Sequence, residues 1–346
     1  MTSKYFKRKY ELLIGQPVPA KRIYGPADTI IIDNYIDTTG DIKSKPNSFL
    51  MNEHHITFSI NKNNKQATNK AHISIYNPLR NLIDYLELFA TEKISCVLKA
   101  GYEYKVVEIF RGTIEKFEFS FKEPSSVLKL TLTDGGQNLK EALSSRYYPV
   151  GTPYKTIIED LSQDMGIPVA NVIVNTETQS INKPIYLNGK TSLNLDRLAR
   201  ELKANCSVVN GSLWWLPEDI RLKDPVLKLT AESGLLYEVE AYNDNSANAT
   251  LDTTANKKGI KFTSLLNGLI VPNATVYVQS SDKKYDSYYK IVSCTYRGGY
   301  QSSEAWETEA IAIDCGPNTT KTVATNIAAN AAANIGIGSA IVGTGG

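Results

Sequence analysis

Glu307 and Glu309 stand two residues apart in the run EAWETEAIAID. On a β-strand that spacing puts both carboxylates on one face, about 7 Å apart, which is the separation of an inverting glycosidase pair. Such chemistry also needs a cleft and an acid held protonated beside a base. Nothing around the pair suggests a sugar cleft, and alternating glutamates on a strand read as a solvated face. Glu115 and Glu118 form a second carboxylate pair open to the same two readings. Of the three histidines, His54 and His55 are adjacent, so a strand would point them to opposite faces and away from a shared metal. His72 alternates with Ile73 and reads as a strand-surface histidine. The Gly-Lys-Thr of NGKTS (Asn188–Ser192) lacks the first glycine of a phosphate loop, because Pro184 stands there without a backbone donor. The segment is expected to be a loop leading into a helix N-terminus. No Gly-x-Ser-x-Gly elbow occurs, and no cysteine has a histidine close in sequence. Trp214-Trp215 could stack bases, but no basic groove accompanies them; on a strand one would enter a core and the other an interface. The expectation is that the chain is not an enzyme, with no catalytic, cofactor-binding or metal-ligating residue.

Composition agrees with that expectation. The chain has 346 residues, 42% of them hydrophobic, enough for two or three domains with a real core. Its 38 Lys and Arg against 36 Asp and Glu create no global basic field for nucleic acid. Tyrosine is over-used, at 20 against 9 Phe and 3 Trp, and its apolar ring and polar tip suit half-buried strands and wet interfaces. Cys96, Cys206, Cys294 and Cys315 are scattered, which fits a reducing compartment better than a disulfide framework or zinc site. The basic opening MTSKYFKRKYELLIG is followed by no apolar segment of about 7–15 residues, so no signal peptide is expected and synthesis is assigned to the cytoplasm.

The elements that would position these residues follow from periodicity. Residues 1–145 alternate with period two: Ile56, Phe58 and Ile60 on one face of a strand, Ile73 and Ile75 flanking Ser74, Ile94, Cys96 and Leu98 against Ser95 and Lys99, Phe117, Phe119 and Phe121 against Glu118 and Ser120, and Leu128, Leu130 and Leu132 against Lys129 and Thr131. A helix over 78–90 interrupts them, with Asn77 as N-cap, Pro78 as its first residue and Leu79, Leu82, Ile83 and Leu86 as its stripe. Residues 146–222 read as a small α/β domain. Thr152 would cap one helix carrying Tyr154, Ile157, Ile158 and Leu161, and Ser192 a second carrying Leu195, Leu198, Ala199 and Leu202. Asn210-Gly211 signals a type I′ hairpin. Residues 223–316 return to β, with Ile291, Ser293 and Thr295 opposing Val292, Cys294 and Tyr296, before an Ala/Gly/Asn-rich tail, 317–346. Asn243–Lys258 reads as a polar loop. The fold class is mainly β with an α+β insert.

The order of these motifs resembles the baseplate hub family of contractile-tailed bacteriophages and related contractile injection machines. RKYELLIG is similar to the family's opening strand, ITFSINKNNKQATNKAHISIYNPLRNLI to its strand–turn–strand–helix pattern, and LKAGYEYKVVEIFRGTI to its next hairpin. GTPYKTIIEDLSQDMGI, LARELKANCSVVNGSLWWLPED, GIKFTSLLNGLIVPNATVYVQS and YYKIVSCTYRGGYQSSEAWETEAIAID follow in the family's order, so the resemblance spans roughly residues 8–314. The polar loop and the tail depart from it.

The resemblance implies two tail-tube-like antiparallel β-barrels around the small α/β domain, in a homotrimer whose six barrels form a pseudo-sixfold ring. The implied partners are a tail tube or tube-initiator protein on one side, a central spike on the other and a tape-measure protein. DNA would pass through the lumen without sequence-specific binding, no stable membrane insertion is implied, and the place is the virion baseplate. Alternatives are a hub of a non-viral contractile injection system and, further off, a tail-associated cell-wall hydrolase. Gly101, Gly112 and Gly211 are expected to be architectural, permitting the φ values of hairpin ends. In the tail, Asn326, Asn330 and Asn334 recur every four residues beside Ile327 and Ile335, which on a helix would give a polar stripe for contact with an axial partner.

Overall fold

The structure, a computed structural model, describes residues 7–15, 48–64, 68–122, 125–134, 139, 141–174, 179–218, 220–223, 226–243, 258–281, 283–314 and 319–320. The first part of the chain forms β1 (Arg8–Gly15), β2 (Ser48–Met51), β3 (Ile56–Asn63), β4 (Lys70–Tyr76), helix α1 (Arg80–Leu88), β5 (Ser95–Tyr102), β6 (Lys105–Lys122) and β7 (Ser125–Thr133). The middle forms β8 (Leu143–Tyr148), α2 (Tyr154–Asp164), β9 (Val169–Val172), β10 (Ile185–Lys190), α3 (Thr191–Glu201), β11 (Ala204–Val209), β12 (Ser212–Pro217) and β13 (Arg221–Leu222). The last part forms β14 (Val226–Leu229), β15 (Glu240–Asn243), β16 (Lys258–Leu265), β17 (Thr275–Val278), β18 (Ser287–Tyr300), β19 (Trp306–Ile313) and β20 (Thr319–Thr320).

The fold is mainly antiparallel β, and its two β regions are not separate sheets. Among the described residues they make one 13-stranded sheet in the order β15-β16-β19-β18-β3-β4-β7-β6-β5-β1-β2, with β17 on β18 and β14 on β17. The joint is the antiparallel pairing of β18 with β3, from Ser293 opposite Asn63 to Tyr300 opposite Ile56. Ile56, Phe58 and Ile60 of β3, Ile73 and Ile75 of β4, and Leu128, Leu130 and Leu132 of β7 are buried together with Phe262, Val276, Tyr296 and Ala310 from the last part. One apolar core therefore runs through both regions, the outcome expected when one face of each strand is apolar and the other wet.

Three alternations depart from simple periodicity. β5 is buried on both faces apart from Lys99: Cys96, Leu98 and Ala100 enter the core, and Ser95 and Val97 on the other face are also covered. Ile291 does not share a face with Ser293 and Thr295: a bulge between Ile291 and Ser293 in the β18–β19 ladder shifts the register, and Ile291 joins Cys294 and Tyr296 in the core. The third concerns Phe117, Phe119 and Phe121, which share a face of β6 that is covered only around Phe117. Phe117 is half-buried while Phe119 and Phe121 are 38% and 67% exposed, beyond a bulge at Ile114–Lys116.

A second core lies in the middle segment. Tyr154, Ile157, Ile158 and Leu161 of α2 and Leu195, Leu198 and Ala199 of α3 pack against Cys206, Val208, Leu213 and Trp215 of the three-stranded sheet β11-β12-β9. Trp215 is buried and Trp214 half-buried, as adjacent strand positions require. The helix starts differ from the sequence expectation. α1 begins at Arg80 behind Leu79 rather than at Pro78; Asn77 has φ 50° and its Oδ1 accepts from the Ser126 amide, so it closes a turn against β7 instead of capping. Pro153 and Lys190, not Thr152 and Ser192, precede α2 and α3, and neither helix has a side-chain cap. Thr152 Oγ1 instead donates to Pro149 O. Long apolar stripes hold these helices without caps, as tertiary packing commonly does.

Candidate functional site

The residues considered for chemistry are dispersed. Glu307 and Glu309 lie on the wet face of β19, where Glu309 pairs with Lys261 at 2.9 Å and with Arg297 at 3.7 Å. His54 and His55 fall in the turn between β2 and β3, where His55 stacks on Tyr76 with centroids 4.0 Å apart and the His54 carbonyl accepts from Tyr10 Oη. His72 sits on the exposed side of β4 beside Thr131. Among the described residues no three His, Cys, Asp or Glu come together in a way that could hold a metal, and no helix is long and apolar enough to cross a membrane. The Gly-Lys-Thr segment is not a loop: β10 runs to Lys190 and α3 starts at Thr191, whose hydroxyl is buried 2.6 Å from Ser144 Oγ. Cys96, Cys206 and Cys294 are buried free thiols, and burial pushes the Cys206 thiol up to about 12 and the Cys294 thiol up to about 11. Cys315, residues 244–257 of the polar loop, and the tail positions Asn326, Ile327, Asn330, Asn334 and Ile335 lie outside the described residues.

The glycines act by different means. Gly211 has φ 75° and follows Asn210 at φ 52°, the two-residue turn between β11 and β12. Gly101 and Gly112 do not take a left-handed φ, contrary to the sequence expectation. They are needed for space: a methyl at Gly101 would overlap the Lys105 carbonyl, and one at Gly112 the Thr133 carbonyl and the Phe110 ring. Trp306 Nε1 donates to Gly101 O at 3.2 Å, tying the β5–β6 hairpin to β19 in the last part of the chain.

The Asn210-Gly211 turn meets a cluster of buried charge that periodicity does not reveal. Lys62, one residue from the end of β3, and Asp134, just after β7, are 1% and 0% exposed. The register places both at the same end of the sheet, since Asn61 faces Lys70 and Lys70 faces Thr133. The amides of Asn210 and Gly211 donate to the two Asp134 carboxylate oxygens at 2.7 and 2.8 Å. Lys62 Nζ donates to Asn210 Oδ1 at 2.5 Å, and Asn69 Nδ2 to Val208 O at 2.7 Å. Glu108 and Arg111 of β6 form a bidentate pair alongside, at 2.6 and 3.1 Å, and the Arg111 stem lies beneath Gly211. Burial pushes Asp134 up to about 6, against the lowering pull of Lys62 and of the Gly211 and Asn210 amides. Burial also lowers Lys62, opposed by Cys294, Asp134 and Glu108. Farther along the seam Lys290 Nζ, 0% exposed, donates to Pro217 O at 2.9 Å, and Asn273 Nδ2 donates to Ser207 Oγ at 3.3 Å.

Two groups of exposed large apolar side chains stand out among the described residues. One is the β6 tip with Phe119 and Phe121. The other is the two-stranded ribbon β8–β10, where Tyr147 faces Tyr186 and Leu143 faces Lys190; Tyr147, Tyr186 and Leu143 are each more than half exposed. An isolated two-stranded ribbon leaves both outer edges open for pairing.

No family model and no curated protein matches this chain. Solved structures do. The 43 kDa tail protein of prophage MuSo2 from Shewanella oneidensis superposes with TM-score 0.53 at 13% identity, over 77% of this chain and 94% of that one. A tail protein from Neisseria meningitidis MC58 gives TM-score 0.53 at 10% identity, with the same coverage of 77% and 94%. The Escherichia coli c3393 protein, described as a type VI secretion component structurally similar to the T4 phage tail proteins gp27 and gp5, gives TM-score 0.52 at 10% identity over 78% of this chain and 76% of that one. The fold of this chain is the one these tail and secretion-system proteins share.

Proposed function

We propose that this chain is a structural baseplate hub, the adaptor between a hexameric tail tube and a trimeric spike. The observation that carries the reading is the joint at β18–β3, which makes one sheet of the two β regions. Three such chains would present six similar wall segments, a pseudo-sixfold ring for a tube or tube-initiator protein on one side and a trimeric platform for a spike on the other. The division into a first barrel at 1–145, an α/β domain at 146–222, a second barrel at 223–316 and a tail belongs to the same proposal, as do a lumen for DNA, a tape-measure contact and a place in the virion tail. The exposed Phe119 and Phe121 and the open-edged β8–β10 ribbon support the homotrimer, since a subunit that assembles leaves apolar surface and strand edges for its neighbours. Co-expression with candidate tube and spike proteins tests the reading: a complex containing all three is expected, and failure to bind either partner counts against it.

A second reading, the hub of a non-viral contractile injection system, is favoured by one observation. The fold matches the type VI secretion component described above. The two readings share the geometry and separate on genetic context, capsid and tape-measure genes against effector genes.

A further inference from the structure

The α/β insert and the large sheet have separate apolar cores with no residue in common. Between them runs a seam built largely from side-chain-to-backbone hydrogen bonds: Asp134 to the Asn210 and Gly211 amides, Asn69 to Val208 O, Lys290 to Pro217 O, and Thr275 Oγ1 to Leu222 O at 2.5 Å. Val209, Leu216 and Leu222 are buried as well and belong to neither core. On the sheet side Lys62, Asp134 and Lys290 meet backbone atoms and the Asn210 amide of the insert, while Arg221 of β13 reaches the other way, over the Tyr288 ring of β18. Opening such a seam rehydrates three buried ionic groups, which is favourable and offsets part of the lost hydrogen bonding. The same opening leaves both apolar cores intact.

We propose that the Asn210–Gly211 turn is a releasable plug: the insert undocks from the end of the sheet as a folded unit, through breakage of the Asp134 and Lys62 contacts. The turn sits against the end of the sheet where Lys62 and Asp134 are buried, held by two charge-assisted amide bonds and one lysine contact. The insert keeps Trp215, Leu213 and both helices in its own core when it leaves. Segments that open below the global unfolding free energy are those with few buried apolar contacts to the rest, and here the two apolar cores share no residue. The raised Asp134 and lowered Lys62 fit a site where the charged forms are held at a cost. The device does not depend on the chain being a baseplate hub.

Native-state hydrogen exchange on the full chain, at increasing low denaturant, tests it. The amides of Asn210 and Gly211 are expected to exchange at least about 100-fold faster than the slowest amides of β3 and of α2, with a denaturant slope clearly above zero and below that of global unfolding; a slope near zero would mean fraying of the turn alone and would overturn the proposal. In Asp134→Asn they should speed up by a further factor of about ten, while α2 and α3 amides keep their wild-type rates. Turn amides that match the slowest core amides in rate and slope would overturn the proposal. So would turn amides and α2 amides accelerating together, since that is unfolding of the insert and not its release. If Asp134→Asn does not fold, the wild-type comparison alone decides.

Discussion

Tyr296 of β18 stands directly opposite Ile60 of β3, in the register that fuses the two β regions into one sheet. Two positions along, Gly298 faces Phe58, whose ring fills the space where a side chain at 298 would begin. Phe58 packs edge-on against Trp306 at 5.4 Å and is itself buried, so shifting its ring disturbs the core. Gly298→Ala is expected to destabilise the protein by about 1–3 kcal/mol, the usual range for overpacking. Urea denaturation measures it, and Phe58→Leu in the same background should recover part of the loss. Equal stability of Gly298→Ala and the wild type would show that the joint is looser than the register implies.

Gly112 gives a second, sharper case, because its neighbour is backbone. A methyl there would overlap the Thr133 carbonyl across the β6–β7 pair. Gly112→Ala should lower the denaturation midpoint by more than Gly151→Ala, whose φ of 88° is strained for alanine but whose surroundings are open. The expected cost at Gly151 is about 1 kcal/mol. The reverse order would contradict the close-approach account of Gly112.

Asp134 makes stability depend on pH in a stated direction. Its carboxyl rises from an ordinary 3.8 to about 6 in the folded protein through burial, so between those values the folded state binds a proton that the unfolded state has lost. The slope of unfolding free energy with pH is then negative, and this group's contribution to stability falls as pH rises from about 4 to about 6 and is level above. The groups facing it are Lys62 of β3, Asn69 before β4, and the Asn210 and Gly211 amides of the hairpin, with Cys294 of β18 and Glu108 of β6 acting on it through Lys62. Subtracting the Asp134→Asn profile from the wild-type profile isolates this contribution. A difference that increases between pH 4 and 6 would reverse the sign and contradict the burial account.

The carboxylates and histidines that could have served catalysis are expected to be dispensable. Glu307→Gln and His55→Ala should each leave assembled particles fully infectious, with His55→Ala losing only its stacking on Tyr76, about 0.5–1.5 kcal/mol of stability. Particles that assemble normally yet fail to breach the cell wall would count against a purely structural role.

What can be read from residues alone is local. Ile56, Phe58 and Ile60, or Leu128, Leu130 and Leu132, announce strands because each side chain reports its own face, and Asn210-Gly211 announces its turn because few residue pairs accept two positive φ angles. The pairing of β18 with β3 is not legible: it joins segments more than 200 residues apart, and periodicity carries no partner information. Ile291 escapes the alternation because a bulge adds one residue without changing composition. Asn77, Thr152 and Ser192 look like caps, but their helices start later or earlier and rely on packing. The seam is hidden for the opposite reason. Lys62 and Asp134 are charged, and a charge in a strand or at its end reads as a solvated position unless its buried partner, here a turn some 76 to 148 residues away, is known.

Stoichiometry and symmetry in an assembled tail tip test the central claim most directly. A cryo-electron microscopy reconstruction of the complex with tube and spike proteins is expected to contain three copies of this chain around a threefold axis, their β regions making a ring of six that matches the tube. A reconstruction with two or six whole copies at that level, or with the two β regions of one chain in different layers of the tail, would contradict it.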